Sequence, residues 1–248
     1  MTVRQYGSAV ALAALLTLST GAVAEETLPP LSAEQRAQIE SVVHDYLVSH
    51  PEVLIEAAQA MEEKRQAEAA RTVARISSEI LNDPHTPSRF GPAEGEVKHT
   101  LIEFFDYNCT YCKQARPLIE DFAGKHGVKV YYVEFPVLSP LSAEASLIGM
   151  ALFEESQEKY FIYQDFLMAR MEKLDSRATL KEAVEKAGGD FDALMEKAKG
   201  EALQNSVGSN IDRGRAIGVP GVPFFIVDGK PLRGGVTSLE VLEGLLNK

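Results

Sequence analysis

Two cysteines, the whole complement of this 248-residue chain, stand as Cys109-Thr-Tyr-Cys112 directly after the apolar run Thr100-Leu-Ile-Glu-Phe-Phe105. Residues 98–106 read as a strand, 109–126 as a helix and 128–135 as a second strand, the order of a parallel βαβ unit whose helix crosses over right-handed. A cysteine pair at that strand-to-helix junction constrains both fold and chemistry. The free amides and dipole of a helix N-terminus favour the thiolate of Cys109, while Cys112 lies one turn in and is shielded. The expected division of labour is that Cys109 attacks a disulfide and Cys112 resolves the mixed disulfide.

Competing uses of the pair are weaker. With 45% hydrophobic residues the chain can build a sizeable core without staples, and a bridge across so tight a loop removes little unfolded-state entropy. A structural zinc site takes four ligands, which two cysteines do not supply. Cu(I) is the soft ion that Cys109 and Cys112 could hold as thiolates. Met168 and Met171 add little to that reading, since methionine at helical spacing usually fills core.

Other residues bear on the dithiol. Thr110 and Tyr111 bring no positive charge between the cysteines, so a less oxidising pair is expected. Glu103 interrupts the apolar strand, where a carboxylate is costly if both sheet faces are covered. A raised pKa would let it act as general base and acid for Cys112; the alternative is a strand-end side chain reaching solvent. Pro223, in Gly218-Val-Pro-Gly-Val-Pro223, precedes the strand expected at 224–227, which turns at 228–230 into a second strand at 232–234; a last helix runs to Leu246.

At the N-terminus, Arg4 precedes an apolar stretch over residues 9–18, and Ala22-Val23-Ala24 has the small-x-small form of a leader cleavage site. Loss of a leader over 1–24 removes Arg4 and takes the formal charge from -11 to -12, a balance that argues against nucleic acid as partner. Residues 25–84 read as a helical segment for oligomerisation. Ser32 and Gln35 suggest a capping box, and Pro51 starts a second helix. Along that helix Leu54, Ala58, Met61, Arg65, Ala69, Val73, Ile76 and Ile80 form a narrow seam between charged flanks, suited to packing against copies of the chain or against its own core. Residues 85–96 read as a linker with an edge strand near 88–90, and 97–248 as the catalytic domain, with a helical insertion at about 139–205.

The stretch Glu-Phe-Phe-Asp-Tyr-Asn-Cys-Thr-Tyr-Cys-Lys113, the helical insertion and Gly221-Val-Pro-Phe-Phe-Ile-Val-Asp-Gly229 together resemble the DsbA-like branch of the thioredoxin superfamily. The resemblance implies an α/β thioredoxin fold with a helical insertion, no cofactor beyond the Cys109–Cys112 couple, and a cis Val222-Pro223 bond. It also implies that Val222 and Pro223 form a substrate wall, beside Thr110 and Tyr111, opposite Cys109. The segment from Asp45 to Leu54 is similar to the suppressor-of-copper-sensitivity C (ScsC) family. That similarity implies a periplasmic homo-oligomer, most simply a trimer, acting as an isomerase or reductase on misoxidised or reduced exported proteins. Its membrane partner would be a DsbD-like or ScsB-like reductase. The Pro-His dipeptide of strong oxidases is absent between the cysteines; the alternatives are an oxidase recycled by a DsbB-like partner, and a copper-tolerance protein using the same dithiol.

Overall fold

The computed structural model describes residues 30–90, 97–232, 235–236 and 238–246. The expected leader at 1–24, linker residues 91–96 and the end of the last strand at 233–234 lie outside them. The chain divides into two compact units, Met1–Ala58 and Gln59–Lys248.

In the first unit, α1 (Ala33–Ser49) starts with the expected capping box: the Gln35 amide donates to Ser32 Oγ at 3.2 Å and the Ser32 amide to Gln35 Oε1 at 2.9 Å. It buries none of its residues, and Ile39, Val42, Val43 and Tyr46 are exposed. After Pro51, α2 (Glu52–Asn82) begins; its first residues keep Leu54 and Ile55 in solvent.

The second unit is built on a five-stranded sheet. Its strands are β1 (Ser88–Phe90), β2 (His99–Phe105), β3 (Val128–Glu134), β4 (Phe224–Val227) and β5 (Lys230–Leu232), in spatial order β1-β3-β2-β4-β5. Only β2 and β3 run parallel, joined by the crossover helix α3 (Thr110–His126); the remaining pairs are antiparallel. The β4–β5 hairpin turns through two residues with positive φ, Asp228 at 47° and Gly229 at 76°, a combination matched to strand twist. The second strand therefore starts at Lys230, two residues earlier than the pattern suggested.

Alternation along β2 sorts the core into two layers. Leu101 and Phe105 join Val130, Tyr132, Phe225 and Val227 beneath Cys112, Ala115 and Ile119 of α3. On the other face, Ile102 and Phe104 pack with Val133, Phe135, Phe224 and Ile226 against Val73, Ile76 and Ile80 of α2. The sequence seam is thus divided: its last three members close the sheet, while Met61 is 72% exposed. The compact units divide at 58–59, inside α2, so the part of that helix that carries three core residues falls in the unit whose sheet it covers. Ile80, fully buried, is the sharpest test. Ile80→Ala should cost about 2–5 kcal/mol in denaturant unfolding while leaving dithiol reactivity under native conditions unchanged.

After β3 come α4 (Pro140–Glu155), α5 (Gln157–Ala169), α6 (Arg177–Lys186), α7 (Phe191–Lys197) and α8 (Glu201–Ala216). The helical layer extends past 205 because α8 returns the chain to the sheet. Gly214 lets α8 press against Phe135, whose ring leaves no room for a Cβ there. Helix α9 (Leu239–Leu246) completes the fold and buries Leu242.

Candidate active site

The loop between β2 and α3 is held by its own polar residues. The Asp106 carboxylate accepts from the amides of Asn108 (2.7 Å), Val137 and Leu138 (2.9 Å each), and the Asp106 carbonyl accepts from the Cys109 amide at 3.0 Å. The Asn108 side chain donates to Ser139 Oγ at 2.8 Å and accepts from the Leu174 amide at 2.6 Å. These contacts tie the loop to the chain before α4 and to the α5–α6 connection. Neither residue was singled out from sequence, although Asp accepting from the backbone amide two residues on is a common turn device.

Cys109 is the N-cap of α3. Its Sγ accepts from the Cys112 amide at 3.1 Å, taking up one of the unpaired donors of the first helical turn. Its pKa is lowered, first by donation from the Cys112 thiol and further by the Cys112 and Tyr111 amides, against the opposing effect of burial. Cys112 is fully buried, and its pKa is raised, above all by that burial. The two thiols are therefore chemically unequal.

Facing Cys109, the Val222-Pro223 bond is cis, and the Val222 carbonyl lies 3.4 Å from Cys109 Sγ. Thr110 and Val222 are half-buried, whereas Tyr111 is 73% exposed. Beyond Pro223 a groove of about 1230 Å³ opens between Ala69 and Val73 of α2 and the residues Ile217, Pro220 and Phe224. Lys113, the next residue on α3, is tied to the Glu172 carbonyl at 2.7 Å.

Glu103 lies on the α3 side of the central strand, in register with Tyr132 on one flank and Phe225 on the other. It is completely buried, and neither carboxylate oxygen has a hydrogen-bond partner among the described residues. The solvent-reaching alternative is therefore excluded. Burial pushes its pKa up to about 7; Arg116 and Arg89 pull it down and a Cys109 thiolate pushes it up. Its charge in turn raises the pKa of Cys112, after the larger effects of burial and the Cys109 hydrogen bond.

Arg116 and Glu134, both buried and charged, also escaped the sequence reading. Arg116, one turn beyond Cys112 on the same face of α3, donates to Gln164 and Asp165 at 2.6 Å each and lies 4.6 Å above the Tyr132 ring. Glu134, at the end of β3, accepts from Tyr107 (2.8 Å), Tyr160 (2.9 Å) and Ser146 (2.7 Å), and burial lifts its pKa to about 8 despite these donors. Its signal was the one used for Glu103, a lone carboxylate in an apolar strand. Met168 is buried in the core and Met171 half-exposed; among the described residues no group of three or more His, Cys, Asp and Glu is arranged to hold a metal.

Comparison with known proteins agrees with this geometry. Residues 35–68 match the copper resistance protein ScsC N-terminal domain, and residues 142–247 match the DSBA-like thioredoxin domain. The structure of a linker-deletion mutant of Proteus mirabilis ScsC is 25% identical at a TM-score of 0.63, covering 89% of this chain and 97% of that one. A probable disulfide bond formation protein D of Bacillus cereus is 22% identical over 180 residues, 63% of this chain and 82% of the relative. The Na(+)/H(+) antiporter NhaA 3 of Salinispora tropica is 26% identical over 172 residues, which are 66% of this chain; the chain spans about a quarter (26%) of that transporter. The chain therefore carries a DSBA-like thioredoxin domain behind an ScsC-type N-terminal domain, and over most of its length it is similar to ScsC and other DsbA-like oxidoreductases.

Proposed function

We propose that the protein is an exported disulfide isomerase and reductase acting on misoxidised periplasmic proteins. The observation that carries this reading is the inequality of the two thiols: Cys109 with a lowered pKa against the Val222 carbonyl, and Cys112 sealed beside Glu103. The Cys109 thiolate attacks one sulfur of a substrate disulfide; a Cys109–substrate bond forms and the other sulfur leaves as thiolate. In isomerisation a second substrate thiolate attacks the mixed disulfide and returns Cys109 with no net redox change. In reduction Cys112 gives its proton to Glu103 and attacks Cys109, forming the Cys109–Cys112 disulfide and releasing a reduced substrate. A DsbD-like or ScsB-like membrane reductase then restores the dithiol.

Thr110 and Tyr111 support the isomerase direction over a DsbB-coupled oxidase, because Cys109 receives no cationic help from between the cysteines. The exposed apolar residues of α1 and the start of α2, with Val42 at 68% exposure, support assembly of copies into a trimer. Export rests on the leader at 1–24; among the described residues no helix is long and apolar enough to cross a membrane. Cu(I) binding would rest on Cys109 and Cys112 alone, without Met168.

The reduced protein, without added oxidant, should restore activity to scrambled ribonuclease, and the same preparation should have the light-scattering mass of three chains. No recovery, together with rapid oxidation of reduced ribonuclease by the disulfide form, would assign the oxidase instead.

A further inference from the structure

Arg116 is buried, yet it does not pair with the buried carboxylate of the same layer. Its Nη2 is committed to Gln164 and Asp165, its Nε donates to Glu120 at 3.3 Å, and its Nη1 has no partner among the described residues. Both Glu103 oxygens are likewise without one. The guanidinium lies against Tyr132, the in-register neighbour of Glu103, so the opposite charges share one layer without a hydrogen bond. Asp165 and Glu120 also bind Arg89, at 2.8 and 2.5 Å, which fixes the anchor on two sides. The titratable and charged groups around Glu103 are thus Arg116, Cys109 and Cys112 from α3, Arg89 from β1 and Tyr132 from β3; β4 presents the apolar Phe225.

Such a cation favours a carboxylate by attraction alone. A direct ion pair would quench the carboxylate as a proton acceptor, and an apolar residue would leave it protonated. We propose that Arg116 is the positioning residue of the proton-transfer step: tethered to α5 through Gln164 and Asp165, it holds Glu103 as the carboxylate that accepts the Cys112 proton, without pairing with it. This rests on the reading of Glu103 as that acceptor. The step balances: the Cys112 S–H bond breaks and its proton passes to Glu103, the Cys112–Cys109 bond forms, and the Cys109–substrate bond breaks with its electron pair leaving on the substrate sulfur.

The test is stopped-flow reaction of the reduced full chain with dithiobis-nitrobenzoate across pH. The first release of thionitrobenzoate reports Cys109 and the second reports resolution by Cys112. In Arg116→Met the second phase should slow about fivefold at pH 7, its inflection moving up by about one pH unit, and rejoin the unsubstituted protein near pH 9. The first phase should hold its rate, and Arg116→Lys should restore most of the second. Asp165→Asn, which frees the guanidinium to approach Glu103, should move the inflection down and keeps the idea testable if Arg116→Met does not fold. In Glu103→Gln the inflection should vanish, and adding Arg116→Met should change nothing further. A folded Arg116→Met or Asp165→Asn protein with an unmoved inflection overturns the role of Arg116. An inflection retained in Glu103→Gln overturns instead the reading of Glu103.

Discussion

Cys109→Ser should abolish disulfide exchange, slowing it by about a thousandfold or more, because a serine hydroxyl at the same helix start is not ionised and cannot open a disulfide. Cys112→Ser should behave differently. It keeps the first attack, since Cys109 retains its helix-start amides, although it loses a thiol donor for an alcohol donor. It lacks the resolving sulfur, so Cys109-linked mixed disulfides should accumulate and survive on a non-reducing gel, where mass spectrometry identifies the trapped chains. Because the trapped species is the Cys109 adduct, Cys109→Ser in the same background should remove it. If Cys109→Ser kept full activity, the dithiol would be idle and the protein a binding module.

Glu103→Gln should change stability in a pH-dependent way, and the sign follows from the direction of the shift. Glu103 moves from an ordinary value near 4.5 to about 7 on folding, so the folded state holds its proton more tightly than the unfolded state. Its contribution to stability is fully present below about pH 4.5, is lost as pH rises through 7, and stays lost above that. The size of the loss is about 3 kcal/mol. Glutamine resembles the protonated acid in shape and never ionises. The variant should therefore match the parent near pH 4 and exceed it by about 3 kcal/mol near pH 9 in urea unfolding of the reduced proteins. Glu134 shifts in the same direction but is present in both chains, so its effect cancels in the comparison. Equal differences at the two pH values would mean that Glu103 is not the group that titrates.

The βαβ unit was legible because strand, helix and strand carry unmixed patterns and the cysteines mark the junction. Strand limits fell within a residue or two for the same reason. Glu103 was legible as a chemical oddity, a charge where both sheet faces are apolar. Glu134 carries the same mark, but its three hydroxyl partners come from residues 107, 146 and 160, and no local pattern announces that convergence. Arg116 could have been found by continuing the buried face of α3 from Cys112 through Ala115 to Ile119, where an arginine is out of place. What sequence could not supply was its anchor on α5, nearly fifty residues away. The seam of α2 was read as one feature because periodicity carries no information about what covers a stripe; Val73, Ile76 and Ile80 found the sheet, while Leu54 and Met61 did not. The later part of α8 went unread for a propensity reason: Asn205-Ser-Val-Gly-Ser-Asn210 is poor helix material, stabilised by packing such as Gly214 on Phe135.

The two-layer core has a consequence for inheritance. A substitution at Val73, Ile76 or Ile80 is registered by Ile102, Phe104 and Ile226, whereas one at Ala115 or Ile119 is registered by Leu101, Tyr132 and Phe225. The strand backbone is shared but the side chains that must adjust are not. Among descendants of this chain, compensating changes should fall into two groups that alternate residue by residue along β2. One lineage can then remodel the α2 face freely while the face that carries the dithiol stays under its own selection.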